Sequence, residues 1–434
     1  MTMIFGFGKT RKLVGIGLDG FPYSLAEKLT YDGIMPNLHR LAERGTLKRI
    51  KSVFPTVSNV AWSAFQTGEN PGAFDIYGFV ELRPNLDMYI PSYDDLKCKT
   101  LWQRLEDAGK RFAALSVPQT YPAPKLKGFL VSGFLAPTLD ERACSNPGVL
   151  SQLQGMKYEI DVDPTVAAQS PERFKEDLKR VAEARRNTAL NLLQQDEGWD
   201  LFFLHVMDTD RLHHFLWHAQ DEPGGPDAAF FYDFYKKLDD FLGKVVKLVG
   251  DENLLICSDH GFCNLRWEVQ INRWLKREGY LDYENAPEKG YQAVRPGSRA
   301  LSLVPGRIHI LRQGRWDIGV VTDNEYRPLR TEIMDKLRAI KHPETGEVVC
   351  RQVMKSEEVF QGRHVDRAPD IVIDPCNGFD LKAKLGTGHL FEKGPRSGMH
   401  TYDDAMLLTG RGLSAIAQAD SITEVGRRIA KHIL

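Results

Sequence analysis

Asn253-Leu254-Leu255-Ile256-Cys257-Ser258-Asp259-His260-Gly261-Phe262 is the stretch that decides how this chain is read. A short apolar run stops abruptly at Asp-His-Gly. That is the pattern of a buried parallel strand delivering two metal-binding side chains at its carboxyl end. In open α/β sheets, the crevice beyond such strand ends is where ligands bind. The pattern recurs along the chain. Leu13-Val14-Gly15-Ile16-Gly17-Leu18 runs into Asp19-Gly20, and the apolar run at 201–207 runs into Asp208-Thr209-Asp210-Arg211-Leu212-His213-His214. Met399-His400 precedes a last apolar strand at 405–409.

Asp210 and His214 are four residues apart, so a helix puts them on one face, able to close on a single ion. His213 points off that face and reads as packed or solvated. His218 continues the face, but with Trp217 it reads better as pocket wall than as a ligand. Further upstream, Phe54-Pro55-Thr56-Val57-Ser58-Asn59-Val60-Ala61-Trp62-Ser63-Ala64-Phe65-Gln66-Thr67-Gly68 carries apolar residues at helical spacing and ends in glycine. Ser58 then lies at a helix N-terminus, where free N–H groups and the dipole favour an anion. Each residue alone has an ordinary explanation: Asp19 as a turn aspartate, Ser58 as an N-cap. Together, Asp19, Asp210, His214, Asp259, His260 and His400 are six donors. Two divalent ions use about that many protein ligands while leaving positions open for substrate. At such a site Ser58 would act as metal-bound nucleophile, and the Asn59 N–H would help bind the phosphoryl oxygens of the substrate.

The rest of the chain reads as helix and strand around that core. Residues 35–45 form a short helix with Pro36 near its start, and residues 171–195 a long one with Phe174, Leu178, Val181 and Leu192 inward. Phe230, Phe234, Leu238, Phe241, Val245 and Val249 make a further apolar stripe. Residues 112–117 are a strand, and Phe129-Leu130-Val131-Ser132 belongs to a hairpin among proline-marked loops. Residues 69–79 form a loop suited to line a pocket. From 263 to 398 proline, glycine and arginine are frequent and strands are short. The reading is an α/β core, a mostly parallel sheet between helix layers, built from 1–262 and 399–434. Residues 263–398 are read as an inserted cap subdomain over the strand ends.

With 434 residues, 57 Lys and Arg balance 58 Asp and Glu, for a formal net charge of -1. No basic excess is available to hold a nucleic acid polymer through its phosphates. No apolar run approaches the length of a membrane span. In residues 1–12 the basic side chains follow the apolar patch, the reverse of a secretory signal. Six scattered cysteines, without a Cys-x-x-Cys pair, favour neither a zinc knuckle nor a disulfide framework and point to a reducing cytoplasm. No feature of the sequence specifies an oligomeric state.

The order Leu18-Asp19-Gly20, the Ser58 stretch, Thr209-Asp210-Arg211-Leu212-His213-His214-Phe215-Leu216-Trp217, Ser258-Asp259-His260-Gly261-Phe262 and Gly398-Met399-His400 resembles the alkaline phosphatase superfamily. The nearest branch is the type I phosphodiesterase/nucleotide pyrophosphatase family, in particular its phosphohydrolase and phosphomutase members. The resemblance implies an alkaline-phosphatase-like core and two metal ions, usually zinc, with manganese in mutase branches. It implies one ion on Asp210, His214 and His400, a second on Asp19, Asp259 and His260, and Ser58 as nucleophile beside the second. The implied activity is hydrolysis of a small phosphorylated substrate, as a phosphodiesterase through a phosphoserine. A phosphomonoesterase or phosphomutase is the alternative, and a non-catalytic metal-binding protein the third reading. Two positions depart from the family pattern. Ser58 stands where relatives more often carry threonine. Phe79 stands where nucleotide pyrophosphatases carry an asparagine that holds a phosphate oxygen, which argues against nucleotide substrates.

Overall fold

The structure, a computed structural model, describes residues 13–195, 198–222 and 224–434. The N-terminal stretch 1–12, read above for its charge order, lies outside them. A seven-stranded sheet forms the centre, in the order Thr46–Ile50, Ala405–Thr409, Leu254–Cys257, Leu13–Leu18, Leu201–Val206, Phe112–Val117, Phe129–Ser132. The last five pair in parallel, and Ala405–Thr409 runs antiparallel to both its neighbours. Every residue of Leu13–Leu18 is buried, because helices cover both faces, and the strand therefore shows no polar alternation.

Val14, Ile16 and Leu18 face one hydrophobic core, shared with helices Tyr23–Tyr31, Pro36–Arg44, Pro171–Gln194 and Ala228–Val249. Leu13 faces the other, shared with helices Ser58–Thr67, Leu101–Asp107 and Ile422–Ile433. The intervening Gly17 is required by close approach: a Cβ there would lie 2.4 Å from the Trp62 ring. This is the α/β architecture, a mostly parallel sheet between helix layers, that the sequence implied.

Two local expectations change. Phe129–Ser132 is not part of a hairpin. It is the parallel edge strand beside Phe112–Val117, reached by an irregular proline-containing crossover instead of a helix. The buried face of Ala228–Val249 runs through Phe231, Phe234, Tyr235, Leu238, Phe241, Leu242 and Val245, with Phe230 only partly buried. Phe234, Leu238, Phe241 and Val245 are buried as the spacing implied, and the face is broadened by Phe231, Tyr235 and Leu242, while Phe230 and Val249 sit at its margin.

A second hydrophobic cluster gathers Val269, Trp274, Leu301, Ile308, Ile333, Ile371 and Leu381 from residues 263–398, joined by Leu86 from outside that range. Around it lie a four-stranded antiparallel sheet and a three-stranded sheet, with helices Ile271–Arg277 and Asp323–Arg338. The chain leaves and re-enters the central core through a two-stranded antiparallel ladder, Gly261–Asn264 with Gly398–Thr401. That ladder sets His400 opposite Phe262, which carries His400 to the end of the strand that delivers Asp259 and His260.

Candidate active site

The six donors named from the sequence converge beyond the carboxyl ends of the central strands. Asp19 follows Leu13–Leu18 directly and is fully buried. Its Oδ2 accepts from Trp62 Nε1 and His205 Nε2, both at 2.9 Å. Its Oδ1 accepts from Ser58 Oγ at 3.1 Å and lies 3.5 Å from His260 Nε2. Asp259 Oδ1 accepts the Gly20 N–H at 3.0 Å, in a turn that needs the positive φ of Gly20, +61°. Asp259 Oδ2 is buried without a hydrogen-bond partner, 3.3 Å from His260 Nε2.

Asp210 and His214 do share one face of the helix Asp208–Leu216, as their spacing required. His400 Nε2 lies 3.2 Å from Asp210 Oδ1 and 3.0 Å from His214 Nε2. The His260 and His400 rings stack at 3.7 Å between centroids, so the two groups of donors adjoin. His260 stands at the junction. Its nitrogen falls within 4.8 Å of donors from Asp210 and His400, and equally of donors from Asp19 and Asp259.

The histidines are oriented in one way. Nδ1 of His214 faces the Gly398 carbonyl at 3.2 Å, Nδ1 of His260 the Gly261 carbonyl at 3.1 Å, and Nδ1 of His400 the Thr56 carbonyl at 3.1 Å. A carbonyl only accepts, so each Nδ1 carries the proton and each Nε2 aims a lone pair at the centre. Burial holds His214 well below the usual imidazole range and His260 down to about 4, with the His400 ring adding to the effect at both. Both therefore stay neutral, the form that binds a metal. Burial, then the Asp19 charge, pushes Asp259 well above the usual carboxylate range. Converging nitrogen lone pairs, three carboxylates and an orphaned buried oxygen are what divalent cations would satisfy. The donor set fits the ions that the sequence implied.

Ser58 is the first residue of its helix, but it is not the cap. Val57 holds the N-cap position, and no side chain caps this end. The hydroxyl turns instead to Asp19 Oδ1 and to His260 Nε2 at 3.3 Å. Among the described residues no acceptor takes the N–H groups of Ser58 and Asn59, while those of Val60 and Ala61 bond the Val57 carbonyl. The Asn59 side chain does not face the site. Its Nδ2 donates to the Gly78 carbonyl at 2.6 Å and so anchors the loop that carries Phe79.

Ser58, Asp210, His214 and His400 line one cleft of about 320 Å³, together with Arg211, Arg396, Asp374, Asp380, Lys382 and an apolar wall that includes Phe54, Phe79, Phe134 and Tyr402. Phe79 stands edge to face with Phe134, 5.5 Å between centroids, so this part of the wall is aromatic. His213 is buried, donates its Nδ1–H to the Gly20 carbonyl, accepts from the Tyr235 hydroxyl at Nε2, and so is engaged away from the donors. His218 and Trp217 do not line the cleft. The α-helix ends at Leu216 and continues as a tighter 3-10 turn, which breaks the four-residue repeat. His218 pairs with Asp227 at 3.2 Å, and Trp217 packs on Phe262. Sequence reasoning missed Trp62 and His205, which orient Asp19. Trp62 lies one helical turn after Ser58, and that spacing was the available signal.

A family model described as type I phosphodiesterase / nucleotide pyrophosphatase matches residues 13–403. No curated protein matches the chain. Among solved structures, phosphonoacetate hydrolase from Sinorhizobium meliloti 1021, in complex with phosphonoformate, is similar with a TM-score of 0.65 at 16% identity, covering 98% of this chain and 96% of that one. An inactive form of murine ectonucleotide pyrophosphatase / phosphodiesterase 5, in complex with AMP, gives 0.56 at 15% identity over 98% and 95%. The human protein gives 0.53 at 16% identity over 92% and 87%. At these identities the likeness is one of fold.

Proposed function

The chain belongs to the type I phosphodiesterase / nucleotide pyrophosphatase family, a family of phosphoric ester hydrolases, and from that premise we propose that it cleaves a phosphate diester through a phospho-Ser58 intermediate. The observation that carries the reading is the common orientation of His214, His260 and His400. Each spends its Nδ1 proton on a backbone carbonyl, and with three carboxylates they surround a serine at an uncapped helix start.

In this reading Asp210, His214 and His400 hold one divalent ion, and Asp19, Asp259 and His260 the other. The nitrogen and oxygen donors suit zinc first and manganese second. Bound there, the ions would act as Lewis acids on the phosphoryl group and on the attacking and leaving oxygens. The N–H groups of Ser58 and Asn59 receive the non-bridging oxygens, aided by the helix dipole. Ser58 Oγ attacks phosphorus; the Oγ–P bond forms, the bond to the leaving oxygen breaks, and the serine proton departs with the alcohol. Water then displaces Ser58 from phosphorus, which restores the hydroxyl and releases the phosphorylated product.

Residues 263–398 act as the cap that shapes the leaving-group side, over a catalytic core of 1–262 and 399–434. The six cysteines are all free thiols, which supports a reducing, cytoplasmic setting. No helix among the described residues is long and apolar enough to cross a membrane.

A substrate panel tests the reading: a bis-aryl phosphate, a mono-aryl phosphate and sugar phosphates, each with zinc and with manganese. Fastest turnover of the diester is expected. Exclusive monoester cleavage would replace it with a phosphatase, and return of phosphate to a second sugar hydroxyl with a mutase. Inertness toward all three would overturn it.

A further inference from the structure

Three cationic side chains line the cleft, and two of them are neutralised. Arg211 is held by Asp161 at 2.6 Å and Asp210 at 3.1 Å, and Lys382 by Asp380 at 2.5 Å. Arg396 is half-buried and has no hydrogen bond or ion pair among the described residues. A guanidinium without a partner in a cleft that also carries the apolar residues Val304, Pro305 and Ile373 is free to pair with an anion on a ligand.

The backbone that follows Arg396 is tied to the His214 side of the site. The Ser397 N–H donates to the His214 carbonyl at 2.8 Å, Ser397 Oγ accepts the Trp217 N–H at 2.9 Å, and the Ser397 carbonyl accepts from Leu265 N–H at 2.8 Å.

A row of contacts crosses the site. Ser58 touches His260 at 3.3 Å, His260 stacks on His400 at 3.7 Å, and His400 meets His214 at 3.0 Å. Arg396 enters the cleft next to Ser397, whose N–H is bonded to the His214 carbonyl, whereas Ser58 meets Asp19 and His260. In-line displacement at phosphorus sets the leaving group opposite the nucleophile. We propose that Arg396 is a specificity-determining residue that pairs with an oxyanion on the leaving part of the substrate, so that the preferred esters carry a second anionic group, carboxylate or phosphate, on the departing alcohol. The inference rests on Ser58 being the nucleophile.

The test compares aryl phosphodiesters of matched leaving-group acidity whose leaving phenol is neutral, carboxylated or phosphorylated. The wild type should prefer one of the charged esters by about 10- to 100-fold in kcat/KM, the range of a charge-assisted hydrogen bond. Which of the two is preferred identifies the oxyanion. Arg396→Gln should abolish the preference, mainly through KM, and Arg396→Lys should restore part of it. In parallel, titration calorimetry with the carboxylated and phosphorylated phenols reads the same contact without turnover: affinity should fall about tenfold or more in Arg396→Gln. Absence of preference in the wild type, an equal fall on neutral and charged esters, or unchanged phenol affinity would each overturn the proposal. Failure to hydrolyse any ester would instead refute the proposed function, and the calorimetry would still decide the role of Arg396.

Discussion

Replacing Trp62 with phenylalanine separates the role of this ring in holding Asp19 from its role in the core. Trp62 is fully buried; its ring packs on Gly17 and stands 5.3 Å from Phe65 and 4.8 Å from His205, while Nε1 donates to Asp19 Oδ2 at 2.9 Å. The substitution removes that donor and leaves a small void. A hydrogen bond to a carboxylate is worth about 1.5–3 kcal/mol, and the void adds roughly 1 kcal/mol, so a loss of about 2–4 kcal/mol is expected. Loss of a group that orients a metal ligand also costs about 10–100-fold in metal affinity or activity. Trp102 provides the control. It lies fully buried in the same core, and its Nε1 donates to Gln66 Oε1 at 3.1 Å, away from every proposed ligand. Trp102→Phe should lower the melting temperature comparably and leave metal affinity intact. Metal titration, melting curves and kcat/KM on both variants supply the comparison. Equal loss of metal affinity in both, or in neither, would refute the claim that Trp62 acts through Asp19.

Asp210→Ala and His400→Ala should each release one ion equivalent by elemental analysis and remove most turnover, with the fold kept, because these side chains line a cleft and leave the apolar clusters untouched; full activity with unchanged metal content would refute their assignment. Asp374, which also lines the cleft, is pushed up to about 6 from the ordinary 3.8, first by burial, with Asp403 adding and Arg351 opposing. Its folded pKa exceeds its unfolded one, so the stability it contributes is present below pH 3.8 and is lost as the pH rises to about 6. Asp374→Asn should therefore be more stable than the wild type at pH 7–8, on the order of 2 kcal/mol, with the gap closing toward pH 4; melting curves across that range check it, and a constant gap would contradict it.

The donors were legible because a strand buried on both faces has no reason to end in Asp-His-Gly or Asp-Gly unless the polar group is used. The i, i+4 relation of Asp210 and His214 needed only helical geometry. The way His400 joins them was hidden, since the ladder between 261–264 and 398–401 closes a long excursion that local periodicity cannot register. His218 and Trp217 were misplaced for a related reason: the sequence carries no stop at Leu216, where the helix tightens. Ser58 as a possible cap was ambiguous until the backbone assigned that place to Val57. Arg211 and Arg396 could not be separated by sequence at all. Only the carboxylates around each one, set by packing of distant segments, show that the first is neutralised and the second is not.

The account turns on Ser58, whose hydroxyl lies 3.1 Å from Asp19 Oδ1 and caps nothing. The most direct measurement is to quench the enzyme in acid during turnover of a slow diester and map the covalent phosphate by mass spectrometry, with Ser58→Ala in parallel. A phosphorylated peptide containing Ser58 in the wild type, together with a Ser58→Ala protein that keeps its metals and its substrate affinity but loses turnover, is the predicted result. A fully active Ser58→Ala enzyme would contradict the account, because water would then be the attacking group.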